Sequence, residues 1–297
     1  MNIFDETTDF KFKDTAVTLG KFDGIHIGHK KLISRILEAG KQYGYETILF
    51  SFDTSKMTGI KSITTKNERN LICEQCEIDN IIHYPVNSET MSMEPEEFIE
   101  NILVGKLDAR LVVTGDDFRF GKNRRGDIEM LRRYSEIYGY ELSIEKSVKV
   151  DNIRASSTNI KEYLKNGDVE NASKMLGYQY FIIGEVEKGQ QIGRTINTRT
   201  ANLIPNENKI VPVNGVYKTA IYVNEKKYKS ITNIGLCPTV RNSEEITIET
   251  HIFDFEENIY GRTVKVEFEK FIRKEKKFNN IDELKSQIAL DILSANL

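Results

Sequence analysis

Cysteine is scarce in this 297-residue chain: Cys73, Cys76 and Cys237 are too few for an oxidised, disulfide-held scaffold. Cys73-Glu74-Gln75-Cys76 is a lone C-x2-C without a second pair, whereas a structural zinc needs four ligands. Both thiols read instead as partly buried residues of a helix. No apolar run approaches the roughly 18 residues of a membrane-spanning helix. Met1 to Asp14 is acidic and mixed rather than basic then apolar, so no secretory leader is read there and a cytoplasmic protein is expected. An excess of either charge is missing too: 42 Lys and Arg stand against 45 Asp and Glu, a net charge of −3. That gives no long-range pull toward nucleic acid or anionic membrane. Small molecules are the expected partners, and a monomer or weak homo-oligomer the expected state. Repeats and low-complexity segments are absent, and no G-x4-G-K-[ST] loop is available to hold phosphates.

What is present is the composition of a globular protein, 39% hydrophobic and 29% charged, at a length for one large domain or two ordinary ones. Four short apolar runs, Ala16–Leu19, Thr47–Phe52, Ile81–Tyr84 and Leu111–Thr114, alternate with helical patterns at about 28–43, 67–77, from Pro95, and 127–138. This is the signature of βαβ units and a parallel sheet, whose ligands bind at the carboxyl ends of the strands. Ser156-Ser157-Thr158 can cap a helix running to Asn166, and a short helix from Val169 closes at Gly177. After Tyr180 the pattern changes. Tyr217–Val223, Ile246–Ile252 and Val264–Phe268 alternate with period two, as half-buried antiparallel strands do, and one helix follows from Ile281 to Leu293. The boundary is therefore read near residue 180, giving domains of 1–180 and 181–297.

Gly20-Lys21-Phe22-Asp23-Gly24-Ile25-His26-Ile27-Gly28-His29 follows the first strand and opens a helix. Gly24 and Gly28 let backbone and phosphate come close, and the helix start offers free N–H groups. His26 and His29, half of the chain's four histidines, lie three apart on one side of that turn, where imidazoles can donate to phosphate oxygens as pyrophosphate leaves. A second polar cluster, Gly115 to Lys122, follows the fourth strand. There Asp117 could accept from a nucleotide or an acceptor group, and Arg119 or Lys122 could meet phosphate; Lys122 to Arg125 reads equally as a solvated basic loop. Third in order comes Ser156 to Lys161, offering hydroxyls, N–H groups and one cation.

Taken together, G-K-F-D-G-I-H-I-G-H, G-D-D-F-R-F-G and S-S-T-N-I-K resemble the bacterial bifunctional riboflavin kinase/FMN adenylyltransferase family, also called FAD synthetase, and the resemblance continues to about Asp291. It implies an N-terminal Rossmann-like nucleotidyltransferase domain, α/β in class, and a C-terminal antiparallel β-barrel kinase domain with a terminal helix. It also implies two Mg-ATP-dependent steps, riboflavin to FMN in the second domain and FMN to FAD in the first. On that reading His26 and His29 stabilise the transition state. Gly20, Phe22, Asp23, Gly24, Gly28, Asp117 and Arg119 serve the nucleotide, and Ser157, Thr158 and Lys161 close over its phosphates. Lys161 stands where the family usually has arginine, which keeps the charge but loses the bidentate fork.

In the second half, Gly193-Arg194, the segment Thr200-Ala201-Asn202, Asn214-Gly215 and the run from Glu249 follow the kinase in order and spacing. The resemblance assigns Gly193 and Arg194 to the nucleotide. Thr200 and Asn202 put two hard oxygen donors on one strand face for Mg2+. Glu249, expected to face inward from an alternating strand, can accept the proton of the attacking hydroxyl. Arg273, in the basic run Arg273 to Phe278, corresponds to an arginine near the flavin. One departure stands out: Asn197-Thr198-Arg199 replaces the family's Gly-Phe-Pro, removing a positive-φ residue and a stiffening ring. The second reading is therefore a paralogue that transfers adenylyl groups while its kinase half binds or senses flavin. A class I aminoacyl-tRNA synthetase shares the HxGH signature but would need a Lys-Met-Ser-Lys-Ser loop, and Ser55-Lys56-Met57 is not one.

Overall fold

The computed structural model describes residues 1–55, 57, 59–187, 200–238, 244–276, 278 and 280–296. The chain divides into two compact units, Met1–Ser157 and Thr158–Leu297.

In the first unit the short apolar runs become strands: β1 (Asn2–Asp5), β2 (Thr15–Gly20), β3 (Glu46–Asp53), β4 (Asn80–Pro85), β5 (Ala109–Gly115) and β6 (Glu141–Glu145). They form one parallel sheet in the order β1-β4-β3-β2-β5-β6. Between them lie α1 (Ile27–Tyr43), α2 (Lys66–Gln75), α3 (Ser88–Ser92), α4 (Pro95–Glu97) running into a π-helical stretch Phe98–Lys106, and α5 (Ile128–Tyr138). Local chemistry sets the helix starts. Thr65 and Glu68 form a reciprocal capping box on α2, Asp127 caps α5, and Gly44 and Gly139 end α1 and α5 in the left-handed conformation.

The two faces of the sheet differ. Val17, Leu19, Ile48, Phe50, Ile82 and Tyr84 join Phe98 to Leu107 and Leu131 in a hydrophobic core. The alternate residues, Thr18, Ser51 and His83 among them, face the other way and are buried despite being polar. Strand order reverses beside β2: β3 and β4 extend one way, β5 and β6 the other. This is the topological switch point, where open α/β sheets bind ligands, and the loops from Gly20 and Gly115 leave the sheet there.

In the second unit α6 (Ser157–Lys165, its first residue belonging to the first unit) and α7 (Val169–Leu176) precede β9 (Phe181–Glu187), β10 (Thr200–Leu203), β11 (Gly215–Val223), β12 (Lys226–Pro238), β13 (Glu244–Ile252) and β14 (Thr263–Arg273). These six strands close into an antiparallel barrel, β10-β13-β12-β11-β14-β9, with α8 (Ile281–Asn296) at the end of the chain. The barrel strands begin where the sequence pattern changes, near residue 180. The division by packing falls earlier because α7 packs on β14. A short hairpin, β7 (Lys149–Val150) and β8 (Ile153–Arg154), completes the first unit. No described helix is long and apolar enough to cross a membrane.

Candidate active sites

The loop after β2 is built from strained backbone. Phe22, Gly24 and Ile25 all take positive φ (49°, 88° and 36°), a conformation suited only to the glycine. Burial and hydrogen bonds hold it. Phe22 and Ile25 are fully buried. Asp23 Oδ1 accepts from the N–H groups of Ile63 (2.7 Å) and Thr64 (3.3 Å), while Gly24 N–H donates to Thr64 Oγ1 at 3.1 Å. The Ser157 hydroxyl donates to the Asp23 carbonyl at 2.9 Å. Asp23 and Phe22 thus shape the loop: the aspartate ties it to residues 63–64, and the Phe22 ring lies 5.0 Å from that of His29.

On that platform His26 caps α1. Its Nδ1 accepts the His29 backbone N–H at 3.3 Å, and its ring stacks on that of His29 with centroids 3.6 Å apart and planes 15° from parallel. Gly28 makes room for the stack, since a Cβ there would stand 3.0 Å from His26 Cε1. Burial lowers the His26 pKa to about 4, with Asp23 opposing the shift and Arg154 adding to it. His29 falls well below the ordinary histidine range, through burial first and then the neighbouring His26 and Arg69. Both imidazoles are therefore neutral near pH 7. Because His26 accepts at Nδ1, its proton sits on Nε2, ready to donate.

The second cluster is also in place, though its charges are already engaged. Asp117 is exposed and meets Arg154 at 2.7 Å, Arg119 meets Asp127 at 3.0 Å, and Lys122 meets Glu94 at 2.8 Å. Thr158 and Lys161 follow Ser157 on α6 but belong to the second unit. Two arginines went unread in the sequence. Arg154 precedes the Ser156-Ser157 helix start with no periodic signal to mark it. Arg69 did carry a signal, because it shares the buried stripe of α2 with Ile72 and Cys73. Those cysteines lie where the sequence put them, on α2 and at its cap, and burial pushes the Cys73 thiol up to about 12 and raises that of Cys76.

In the barrel, register pairs Asn202 on β10 with Glu249 on β13, and Glu249 in turn with Asn233 on β12. Thr200 and Asn202, two apart, share a face and are half-buried. The inward orientation expected of Glu249 is overturned. Ile248, Thr250 and Ile252 are the buried residues of β13, so Glu249 takes the opposite parity, outside the barrel core, where its charge meets water. Its carboxyl pKa is still raised, by burial and then by the charge of Glu275. Glu275 lies over Gly235 and accepts from Asn214 Nδ2 at 3.4 Å, so the run read as a basic surface also brings an acid to this face. Arg273 sends its guanidinium onto buried Asp291 of α8 through two bonds, 2.8 and 2.7 Å. Gly193, Arg194 and Asn197 to Arg199 lie outside the described residues.

Comparison with known proteins was consistent with both halves. A family model for FAD synthetase matches residues 9–159, and one for riboflavin kinase matches residues 176–297. A bifunctional riboflavin kinase/FMN adenylyltransferase of Buchnera aphidicola (subsp. Acyrthosiphon pisum) is 35% identical over 94% of this chain and 92% of its own length. Its counterpart in Escherichia coli K12 is 31% identical over 94% of this chain and 91% of its own. A solved structure described as a macrolide-efflux protein from Streptococcus pneumoniae superposes with a TM-score of 0.90 at 28% identity, covering 100% of this chain and 99% of that one. With both domain models in chain order and identity sustained along nearly its full length, the chain belongs to the bifunctional riboflavin kinase/FMN adenylyltransferase family.

Proposed function

We propose that this chain makes FAD from riboflavin in two ATP-dependent steps, with adenylyl transfer in the first unit and phosphorylation of riboflavin in the barrel. The observation that carries the first step is the stacked, neutral His26–His29 pair at the switch point of a parallel sheet. An FMN phosphate oxygen attacks the α-phosphorus of ATP; the new P–O bond forms as the bond to the β-phosphate oxygen breaks, and pyrophosphate departs with the negative charge. His26 Nε2–H and the outer nitrogen of His29 donate to phosphate oxygens through that change. Gly20, Gly24 and Gly28 allow the close approach, Ser157 serves the phosphates, and Asp117, Arg119 and Arg154 serve the nucleotide and acceptor. Phe22 and Asp23 act by holding the loop.

The second step rests on the Asn202–Glu249 pairing. Glu249, its pKa raised, takes the proton of the riboflavin primary hydroxyl as that oxygen attacks the γ-phosphorus and ADP leaves. Thr200 and Asn202 are hard oxygen donors on one face and fit Mg2+, which supplies charge neutralisation at the phosphates. Gly193 and Arg194 complete the nucleotide site, and Arg273 stands near the flavin. The reading entails a cytoplasmic, monomeric or weakly associating enzyme acting on ATP and flavins rather than on nucleic acid or membrane. Full-length His29→Ala and Glu249→Gln test it together. The first should lose about 100- to 1,000-fold in FMN adenylylation and keep riboflavin phosphorylation; the second should show the reverse pattern, losing at least about 100-fold. Equal loss of both activities in either variant would contradict it.

A further inference from the structure

A buried arginine stands behind the histidine pair with no anion to match it. Arg69 is 5% exposed. Its Nη1 donates to the Ser51 hydroxyl at 3.1 Å, and that hydroxyl donates to the Lys21 carbonyl at 3.2 Å, at the root of the loop that carries the histidines. Arg69 Nε is buried without a hydrogen-bond partner, and none of the described carboxylates forms an ion pair with the guanidinium. Glu68, next in the chain, turns back to cap α2, and Asp53 is engaged by Ser55 and Lys66. An unpaired buried cation is costly and rare.

It is not alone. Thr18 Oγ1, His29 Nδ1 and His83 Nδ1 are likewise buried and unpartnered, and Thr18, Ser51 and His83 lie on the one sheet face that α1 packs on and that α2 reaches through Arg69 and Asn70. His29 feels the charges of His26 and Arg69; His83 feels Arg69, Asp53, Asp5 and Lys66. With both imidazoles of the HxGH turn neutral, they supply donors and little net charge. Arg154, whose charge reaches His26, is exposed and offset by Asp116 and Asp117. Arg69, by contrast, is buried with none of the described carboxylates paired to it, in surroundings where charge acts over distance with little screening.

We propose that Arg69 is a positioning residue for adenylyl transfer, a buried fixed cation beside His29 that adds positive charge from beneath the loop while His29 supplies the donor. The proposal rests on the adenylyltransferase reading above. Its charge favours the departing pyrophosphate, and its bond to Ser51 braces the loop. A residue of this kind is kept at the expense of stability, so an apolar replacement of similar size should not unfold the protein.

The experiment uses the full chain as wild type, Arg69→Met and Arg69→Lys. Each is assayed for FMN to FAD, for riboflavin to FMN, for the pH dependence of kcat in the first reaction, and for thermal midpoint. Arg69→Met is expected to lose about 100-fold in kcat for FAD formation, with riboflavin phosphorylation unchanged and the thermal midpoint unchanged or raised. Removing the charge should also move the acid limb of the kcat profile to higher pH, because His29 then protonates more readily. Arg69→Lys should recover part of the rate. Full FAD synthesis by Arg69→Met, an unmoved acid limb, or a lowered midpoint with both activities falling together would overturn the assignment. A wild-type enzyme that makes no FAD from FMN would instead defeat the adenylyltransferase reading itself.

Discussion

Single buried titratable groups decide much about the first unit. His83, fully buried, bonds Asn70 Oδ1 through Nε2 at 2.7 Å, and its pKa falls from 6.5 to about 4, through burial first and the charge of Arg69 second. His26 falls to a similar value. A histidine with a depressed folded pKa binds its proton more readily when unfolded, so protonation favours unfolding. Stability should be level above pH 6.5, fall between 6.5 and about 4, and level again below. For His83 alone the loss is on the order of 3 kcal/mol. Urea midpoints measured across pH 7 to 4 should show the decline, and His83→Leu should flatten it. An unchanged slope in that variant would mean that His83 binds its proton equally well folded and unfolded, against the depressed folded value.

At the scale of elements, the start of α1 and the clamp on α8 each depend on one residue. Gly28 sits in the first turn of α1, under the His26 ring. Alanine suits a helix better by up to about 1 kcal/mol, yet its methyl would press on the imidazole. Gly28→Ala should therefore melt no lower than wild type while losing about 10-fold in FMN adenylylation, because small misplacements of catalytic groups are expensive. Asp291, buried on α8, holds Arg273 with two bonds and also accepts from Gln287 at 3.0 Å. Asp291→Ala leaves that guanidinium without its partner and should destabilise the barrel unit by about 3 kcal/mol, read as a lower thermal midpoint and faster proteolysis of α8. The same scale shows what was legible in sequence. Strands with apolar runs and helices with caps, such as β2, β3, α1 and α5, were read nearly to their ends. Three barrel strands were not: β9 and β12 mix polar and apolar residues without clean alternation, and β10 is only four residues long. Parity misled for Glu249, because period two says that neighbours face apart and leaves the choice of face to packing.

Across the whole molecule, the two proposed chemistries draw on different architectures. A parallel sheet offers loops at its switch point and suits donors on a helix start. A closed barrel fixes register and sets Asn202 opposite Glu249. Motif spacing pointed to both candidate sites because the HxGH turn and the order of the barrel segments are local in sequence. The bracing contacts were not legible, since Arg69 meets Ser51 and Arg154 meets Asp117 only once the chain has folded, although the stripe of α2 marked Arg69 itself. The most direct test is purified full-length protein incubated with Mg-ATP and riboflavin, and separately with Mg-ATP and FMN, the flavins being resolved by chromatography. The account predicts FMN and then FAD from riboflavin, and FAD with pyrophosphate from FMN. Absence of FAD in the FMN reaction would contradict it.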